Sequence, residues 1–310
     1  LVYPRSGTTF VHRVMPQNDW ANSLNLHEML FPASSFQWGI HQLWQMDKLT
    51  GHKIETQFNR IQSRAFQDLD KIHRVRFNEP EEDEFVMWSQ YASDMCINDS
   101  PTLIESGPSD MPKEFEFWSA IEQMQALSWY RACVEKNLQR KAGKGLYVGK
   151  NPRFSRIIPL LNQTFPKCKI IVLIRNPLEA IPSRISLMRA LWSRRDKNFG
   201  ELSPSHVQWI LNNSIQTFLN QEDGLQHVPE NRKIVIGYTD LKTNASAVLE
   251  RIVDHLDLPD ISPHVRTVLD DMKNHSYMSK HQYDLNDFGL SESDITGPLS
   301  SVFQNNSRYF

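Results

Sequence analysis

Cysteine is scarce: three residues in 310, at Cys96, Cys133 and Cys168. Odd in number and without C-x-x-C spacing, they exclude a disulfide framework and a thiolate zinc site, and read as small hydrophobes in a reduced chain. A basic excess is also lacking. Lys and Arg total 34 against 36 Asp and Glu, a net charge of −2, so no global positive field draws in nucleic acid and any anion site must be local. Long apolar runs are missing as well: mean hydropathy is −0.49, and no stretch approaches the roughly 20 apolar residues of a membrane span. No Asp, His and Cys cluster stands out as a metal site, and no metal is expected.

What is present is an alternation of short β-branched runs with helical patterns, the signature of a parallel sheet with crossover helices. Strands are expected at Leu1–Tyr3, around Ser23–Leu26, at Leu146–Gly149, at Lys169–Ile174 and at Lys233–Gly237. Their continuous apolar character implies a sheet buried on both faces. Helices are expected at Thr8–Val14, Arg153–Thr164, Leu178–Leu191, Pro204–Leu225 and Asp240–Leu256. Between the second and third strands, Phe36 to Lys144 is rich in Trp, Phe and Gln and reads as a helical insertion, with no Gly/Ser linker to make it a second domain. Its acidic knot Pro80-Glu81-Glu82-Asp83-Glu84 reads as a helix start, where carboxylates favour the positive end of the dipole. The expectation is therefore one α/β domain over 1–310, a P-loop-like three-layer fold with a central parallel sheet and a helical insertion. The chain opens on Leu1-Val2-Tyr3 without an initiator Met, which points to a clipped first strand.

Pro4-Arg5-Ser6-Gly7-Thr8-Thr9 lies between a short apolar strand and a helical pattern, where backbone N–H groups and a helix dipole together cradle an anion. Gly7 permits close backbone approach, Ser6, Thr8 and Thr9 supply hydroxyls, and Arg5 supplies a fork of charged donors. The nucleoside triphosphatase loop, G-x-x-x-x-G-K-[ST], is not met: Val2 stands at its first glycine and Thr8 at its lysine. A nucleotide fits this loop; ATP hydrolysis does not. After the K-I-I-V-L-I strand comes Arg175-Asn176-Pro177, with Ser183 eight positions beyond Arg175. An Arg and a Ser at the carboxyl edge of a parallel sheet offer a second phosphate site.

With these two motifs the chain resembles the sulfotransferases that use 3′-phosphoadenosine 5′-phosphosulfate (PAPS), in detail the broad, largely bacterial group with P-R-S-G-T-T. The resemblance covers nearly the whole chain. It implies that Arg5 to Thr9 bind the 5′-phosphosulfate and that Arg175 and Ser183 bind the 3′-phosphate. Lys150-Asn151-Pro152 resembles the family's K-x-P, and Tyr238 in Tyr238-Thr239-Asp240-Leu241 its Y-x-D-L, whose Tyr lies near the adenine. The tail Lys280-His281-Gln282-Tyr283-Asp284-Leu285 with Phe288-Gly289-Leu290 is similar to a C-terminal segment that returns a basic residue to the 3′-phosphate. Many members carry a His shortly after K-x-P. Here Arg153-Phe154-Ser155 occupies that place, so another base is needed.

Sulfuryl transfer asks for an acceptor in line with the leaving phosphate, a cation on the developing charge, and a proton acceptor. By resemblance Lys150 is the cation. Glu28, after the second strand, is the base candidate, with His27 its rival; His12, on the first helix, reads as a core histidine. The acceptor, a small molecule or a carbohydrate bearing a hydroxyl or an amine, is expected between this edge and the insertion. There Trp38, Trp44, Trp88, Trp118 and Trp129 either stack on it or form the insertion's own core. A small-molecule P-loop kinase and a catalytically silent nucleotide-binding protein are the alternatives. Free cysteines point to the cytoplasm, whereas six N-x-[ST] sequons, at Asn98, Asn162, Asn212, Asn244, Asn274 and Asn305, would suit a Golgi lumen.

Overall fold

The computed structural model describes residues 6–67, 75–90, 92, 101–106, 114–140, 145–195, 199, 201–273 and 284–310. The strand expected at Leu1–Tyr3, the loop residue Arg5 and the tail residues Lys280 and His281 lie outside the described residues.

The amino-terminal elements are α1 (Thr8–Val14), β1 (Ala21–Asn22) and α2 (Leu26–Leu30). The insertion carries α3 (Ser34–Leu49), α4 (Lys53–Phe66), α5 (Glu84–Trp88), α6 (Pro101–Ser106) and α7 (Ala120–Arg140). Then come β2 (Leu146–Tyr147), α8 (Ile158–Thr164), β3 (Ile170–Ile174), α9 (Pro177–Arg195), α10 (Pro204–Gln226) and β4 (Lys233–Gly237). The chain closes with α11 (Tyr238–Thr243), α12 (Ala245–His255), α13 (Pro263–Lys273), α14 (Ser293–Thr296) and α15 (Ser300–Asn305).

Both described strand pairs are parallel: β1 with β2, Ala21 opposite Leu146, and β3 with β4, from Ile170 opposite Lys233 to Ile174 opposite Gly237. The alternation along β3 and β4 decides what covers the sheet. Leu173, Ile234 and Ile236 meet Val11 of α1, Leu249 and Ile252 of α12 and Leu269 of α13. Ile170 and Val172 turn the other way, onto Ile158 and Val228. Apolar coverage on both faces is what a parallel sheet with crossover helices requires, and it sets the loops at the carboxyl ends of the strands on one edge.

Several sequence-based boundaries shift, three of them for a visible local reason. The strand expected around Ser23–Leu26 lies at Ala21–Asn22, because Asn25 bridges antiparallel to Pro80 and Leu26 already starts α2. The helix expected at Arg153–Thr164 divides into a 3₁₀ turn, Pro152–Arg156, and α8, as Pro159 has no N–H to continue the turn before it. The helix expected at Asp240–Leu256 breaks at Asn244, whose side chain accepts the Ala247 N–H at 3.1 Å and starts α12.

The insertion shares its core with the strand layer: Leu24, Met29, Val86, Met87, Leu127 and Tyr130 pack with Phe154, Ile157 and Leu161. Its tryptophans divide. Trp118 and Trp129 join that core and Trp44 meets Phe58 edge-on at 6.0 Å, whereas Trp38 is 65% exposed and Trp88 43%. No helix among the described residues is long and apolar enough to cross a membrane.

Candidate active site

Ser6 and Gly7 lead directly into α1. Gly7 has φ +84°, and a Cβ there would stand 2.9 Å from Leu241 Cδ2 and 3.2 Å from the Tyr238 ring. Glycine is therefore required twice, by its left-handed backbone and by the close approach of α11. Ser6 is fully buried and its hydroxyl has no partner. A buried unsatisfied hydroxyl is costly, and one at the mouth of an anion-binding loop fits a donor held for a phosphate or sulfate oxygen.

Lys150 follows β2 and is 5% exposed; its Nζ donates to Thr9 Oγ1 at 2.9 Å and to Glu82 Oε1 at 2.6 Å. The K-x-P lysine is thus on the phosphate loop, 141 residues distant in sequence. The acidic knot holds it there. The Asp83 N–H donates to the Lys150 carbonyl at 2.7 Å, and the Asp83 carboxylate accepts the Tyr130 and Tyr147 hydroxyls at 2.6 and 2.9 Å. Burial nonetheless pushes Asp83 up to about 7. Gly149 is obligatory beside it: a Cβ would collide with the Asp83 carboxylate and lie 2.9 Å from the Tyr130 hydroxyl. The knot does precede a helix, α5, but Glu81, Asp83 and Glu84 are buried rather than spread along a solvated first turn. Sequence reasoning missed this link; the only signal was the density of carboxylates.

His12 lies behind Lys150, 4% exposed, with Ser23 Oγ 3.5 Å from its Nε2. Burial, and after it the charge of Lys150, push His12 down to about 3, so it is neutral. Below the lysine, Arg153 donates to Glu116 at 2.9 Å and Arg156 pairs with Glu114 at 2.7 Å, tying the post-Pro152 turn to the insertion.

Glu28 is 7% exposed and engaged on both oxygens. Its Oε2 accepts the Asn25 N–H at 2.8 Å and Asn137 Nδ2 at 3.2 Å, while its Oε1 pairs with Arg140. Those bonds close the first turn of α2 and fasten it to α7. Burial lowers His27, with Glu28 opposing, and its Nδ1 is buried without a partner.

Arg175 leaves the carboxyl end of β3 with its guanidinium 4.9 Å from the centre of the Tyr238 ring, the same ring that borders Gly7. It also pairs with Glu179 at 3.0 Å. Ser183 is buried on α9, two turns along. Of the tail, Leu285, Phe288 and Leu290 pack in the core of α9 and α10, and Arg189 of α9 lies over the Phe288 ring at 5.7 Å. The structure thus brings together Ser6, Gly7, Thr9, Lys150, Tyr238 and Arg175, and places Glu28 in a separate cluster of bonds. A groove of about 390 Å³ between the sheet, α10 and α15 is lined by none of them.

The fold is that of a P-loop-like α/β protein, and its Pro4-Arg5-Ser6-Gly7-Thr8-Thr9 loop lacks the nucleoside triphosphatase lysine. Residues 2–263 match the model of the sulfotransferase family, and the chain belongs to that family, whose general reaction is sulfuryl transfer from PAPS. It is 23% identical over 288 residues to the omega-hydroxy-beta-dihydromenaquinone-9 sulfotransferase Stf3 of Mycobacterium bovis and to that of Mycobacterium tuberculosis, covering 91% of this chain and 68% of each relative. Among solved structures, sulfotransferase STF9 from Mycobacterium avium aligns at TM-score 0.68 with 15% identity, over 98% of this chain and 76% of the other. STF1 from Mycobacterium tuberculosis aligns at TM-score 0.69 with 16% identity, over 97% and 75%. The fold is that of these sulfotransferases.

Proposed function

We propose that this sulfotransferase takes its sulfuryl group from PAPS and passes it to the hydroxyl of a hydrophobic acceptor. The observation that carries the donor reading is the convergence of Lys150, Thr9, the unpartnered Ser6 hydroxyl and the Arg175–Tyr238 stack on one edge of the sheet. PAPS supplies an activated sulfuryl group on a phosphate leaving group. Ser6, Thr8, Thr9 and the backbone at Gly7 hold the phosphosulfate, with Arg5 assigned there by family resemblance. Arg175 and Ser183 take the 3′-phosphate, Tyr238 lies beside the base, and Lys280 and His281 join on resemblance alone. Lys150 opposes the charge that develops on the bridging oxygen.

Glu28, the base expected from sequence, has its carboxylate committed to α2 and α7 by three donors, which favours an architectural role. For the acceptor, two supports agree. The mycobacterial relatives are named for an ω-hydroxylated menaquinone derivative, and the insertion exposes Trp38, Met46, Leu49, Ile54 and Ile61 on α3 and α4, an apolar surface of the kind that marks interaction sites.

The donor reading is tested by calorimetry on Arg175→Ala. A charge-assisted bond to phosphate contributes roughly 1.5–3 kcal/mol. Adenosine 3′,5′-bisphosphate should therefore bind about ten- to a hundredfold more weakly, while adenosine 5′-phosphate changes little. Equal losses for both ligands would remove Arg175 from the 3′-phosphate.

A further inference from the structure

We propose that Glu82, the second carboxylate of the acidic knot, is the general base that takes the acceptor's proton. The inference rests on the sulfuryl-transfer reading above and adds a residue that the motifs do not name. Glu82 Oε1 is 2.6 Å from Lys150 Nζ, and that same nitrogen is 2.9 Å from Thr9 Oγ1 on the phosphate loop. One ammonium therefore bridges the loop that holds the donor and the carboxylate of Glu82.

The neighbouring groups are each unsuited to the task. Asp83 spends both oxygens on the Tyr130 and Tyr147 hydroxyls. Glu81 is 3% exposed, with Oε1 accepting the Glu82 N–H at 3.1 Å, and Glu84 is 7% exposed. His12, held neutral near 3, is too weak a base to draw a proton from an alcohol. Glu28 is saturated by Asn25, Asn137 and Arg140. Glu82 differs from all of them: its side chain is 30% exposed, and Oε2 makes no hydrogen bond or ion pair among the described residues. It combines contact with the reaction's cation, access to solvent and an open acceptor atom. The residue after K-x-P that would otherwise supply an imidazole is missing here, and the insertion delivers a carboxylate to Lys150 from 68 residues upstream.

The step balances without a further reactant. The acceptor oxygen forms its bond to sulfur as the bond from sulfur to the bridging phosphate oxygen breaks. That electron pair leaves on adenosine 3′,5′-bisphosphate, beside Lys150, and the acceptor's proton passes to Glu82 Oε2. The ammonium of Lys150, between leaving group and base, limits the charge that either accumulates.

The test is Glu82→Gln, which keeps an oxygen toward Lys150 and removes the basicity, assayed against acceptors graded by acidity. Transfer to aliphatic alcohols should fall by about 10²–10⁴, while phenols already ionised at neutral pH keep near-native rates. The ratio between the two is internal to one preparation, so a partly folded variant does not disguise it. Glu82→Asp should recover part of the alcohol activity. Calorimetry should give adenosine 3′,5′-bisphosphate binding within about threefold of native, an affinity change under about 1 kcal/mol. A loss equal for every acceptor would make Glu82 a positioning residue for Lys150 and overturn the proposal, as would full activity toward alcohols. An acidity-dependent loss in Glu28→Gln instead would transfer the role to Glu28. Failure of the native protein to bind the bisphosphate would instead overturn the donor reading, and this inference with it.

Discussion

Asp83 and His12 flank Lys150 and respond to pH in opposite senses. Burial pushes the Asp83 carboxyl from 3.8 up to about 7, so the folded protein holds that proton more tightly than the unfolded chain does. Its contribution to stability is fully present below about pH 4 and is lost as pH rises toward 7. His12 is pushed from 6.5 down to about 3, mainly by burial. Its contribution is present above about pH 6.5 and is lost as pH falls toward 3. Between about pH 4 and 6.5 the two slopes oppose each other. Asp83→Asn removes one of them, so the variant's unfolding free energy should climb with pH across that window more steeply than the native protein's, by about 1.4 kcal/mol per pH unit at most. Urea titrations at several pH values check this; parallel curves would show that Asp83 titrates as in the unfolded chain.

At the level of elements, α2 is too short to hold itself. A five-residue helix gains little from its own hydrogen bonds, and the Glu28 carboxylate supplies what is missing by accepting the Asn25 N–H and bridging to Asn137 and Arg140 of α7. Glu28→Ala should accordingly lower stability by about 1–3 kcal/mol, the cost of leaving buried donors unmet. It should leave the affinity for adenosine 3′,5′-bisphosphate nearly unchanged. Thermal unfolding and calorimetry separate the two effects, and a variant that kept its stability but lost catalysis would return Glu28 to the reaction. The strand ends show the same dependence of one element on another: Gly149 has no room for a Cβ because Asp83, from the insertion, occupies that space.

Across the whole molecule the strand layer and the insertion meet at Lys150, so the loop carrying Ser6 to Thr9 belongs to one and the carboxylate knot to the other. The hairpin of α3 and α4 stands at the outer side of the insertion with Leu49 89% exposed, Trp38 65% and Met46 63%. Surface of this character lowers the cost of bringing an apolar chain out of water, at about 25 cal/mol per Å² covered. With PAPS present, long-chain ω-hydroxy isoprenoids should be sulfated with kcat/KM at least tenfold above short alcohols or free sugars. Trp38→Ser with Leu49→Ser should narrow that gap. A preference for sugars would turn the acceptor reading toward carbohydrate.

Local sequence determined much of this protein. The β-branched runs at Ile170–Ile174 and Lys233–Gly237, the turn residue Gly7 and the Arg175-Asn176-Pro177 step each carry their own conformational preference, so the parallel strands and their flanking helices could be read residue by residue, and the two candidate anion motifs could be placed at strand ends. The K-x-P lysine and Tyr238 were picked out by resemblance to the family's motifs, not by any local conformational preference. Tertiary structure alone decided which carboxylates stand where. Glu28 and Glu82 are each an acidic residue near a helix start; the capping bond from the Asn25 N–H is local, but nothing within a few residues of either shows that Arg140 and Asn137 complete the set on the first while Lys150 reaches the second. Those bonds join residues up to 112 positions apart, and hydrogen-bond partners at such separation are fixed by how the insertion packs on the strand ends, which no local preference encodes.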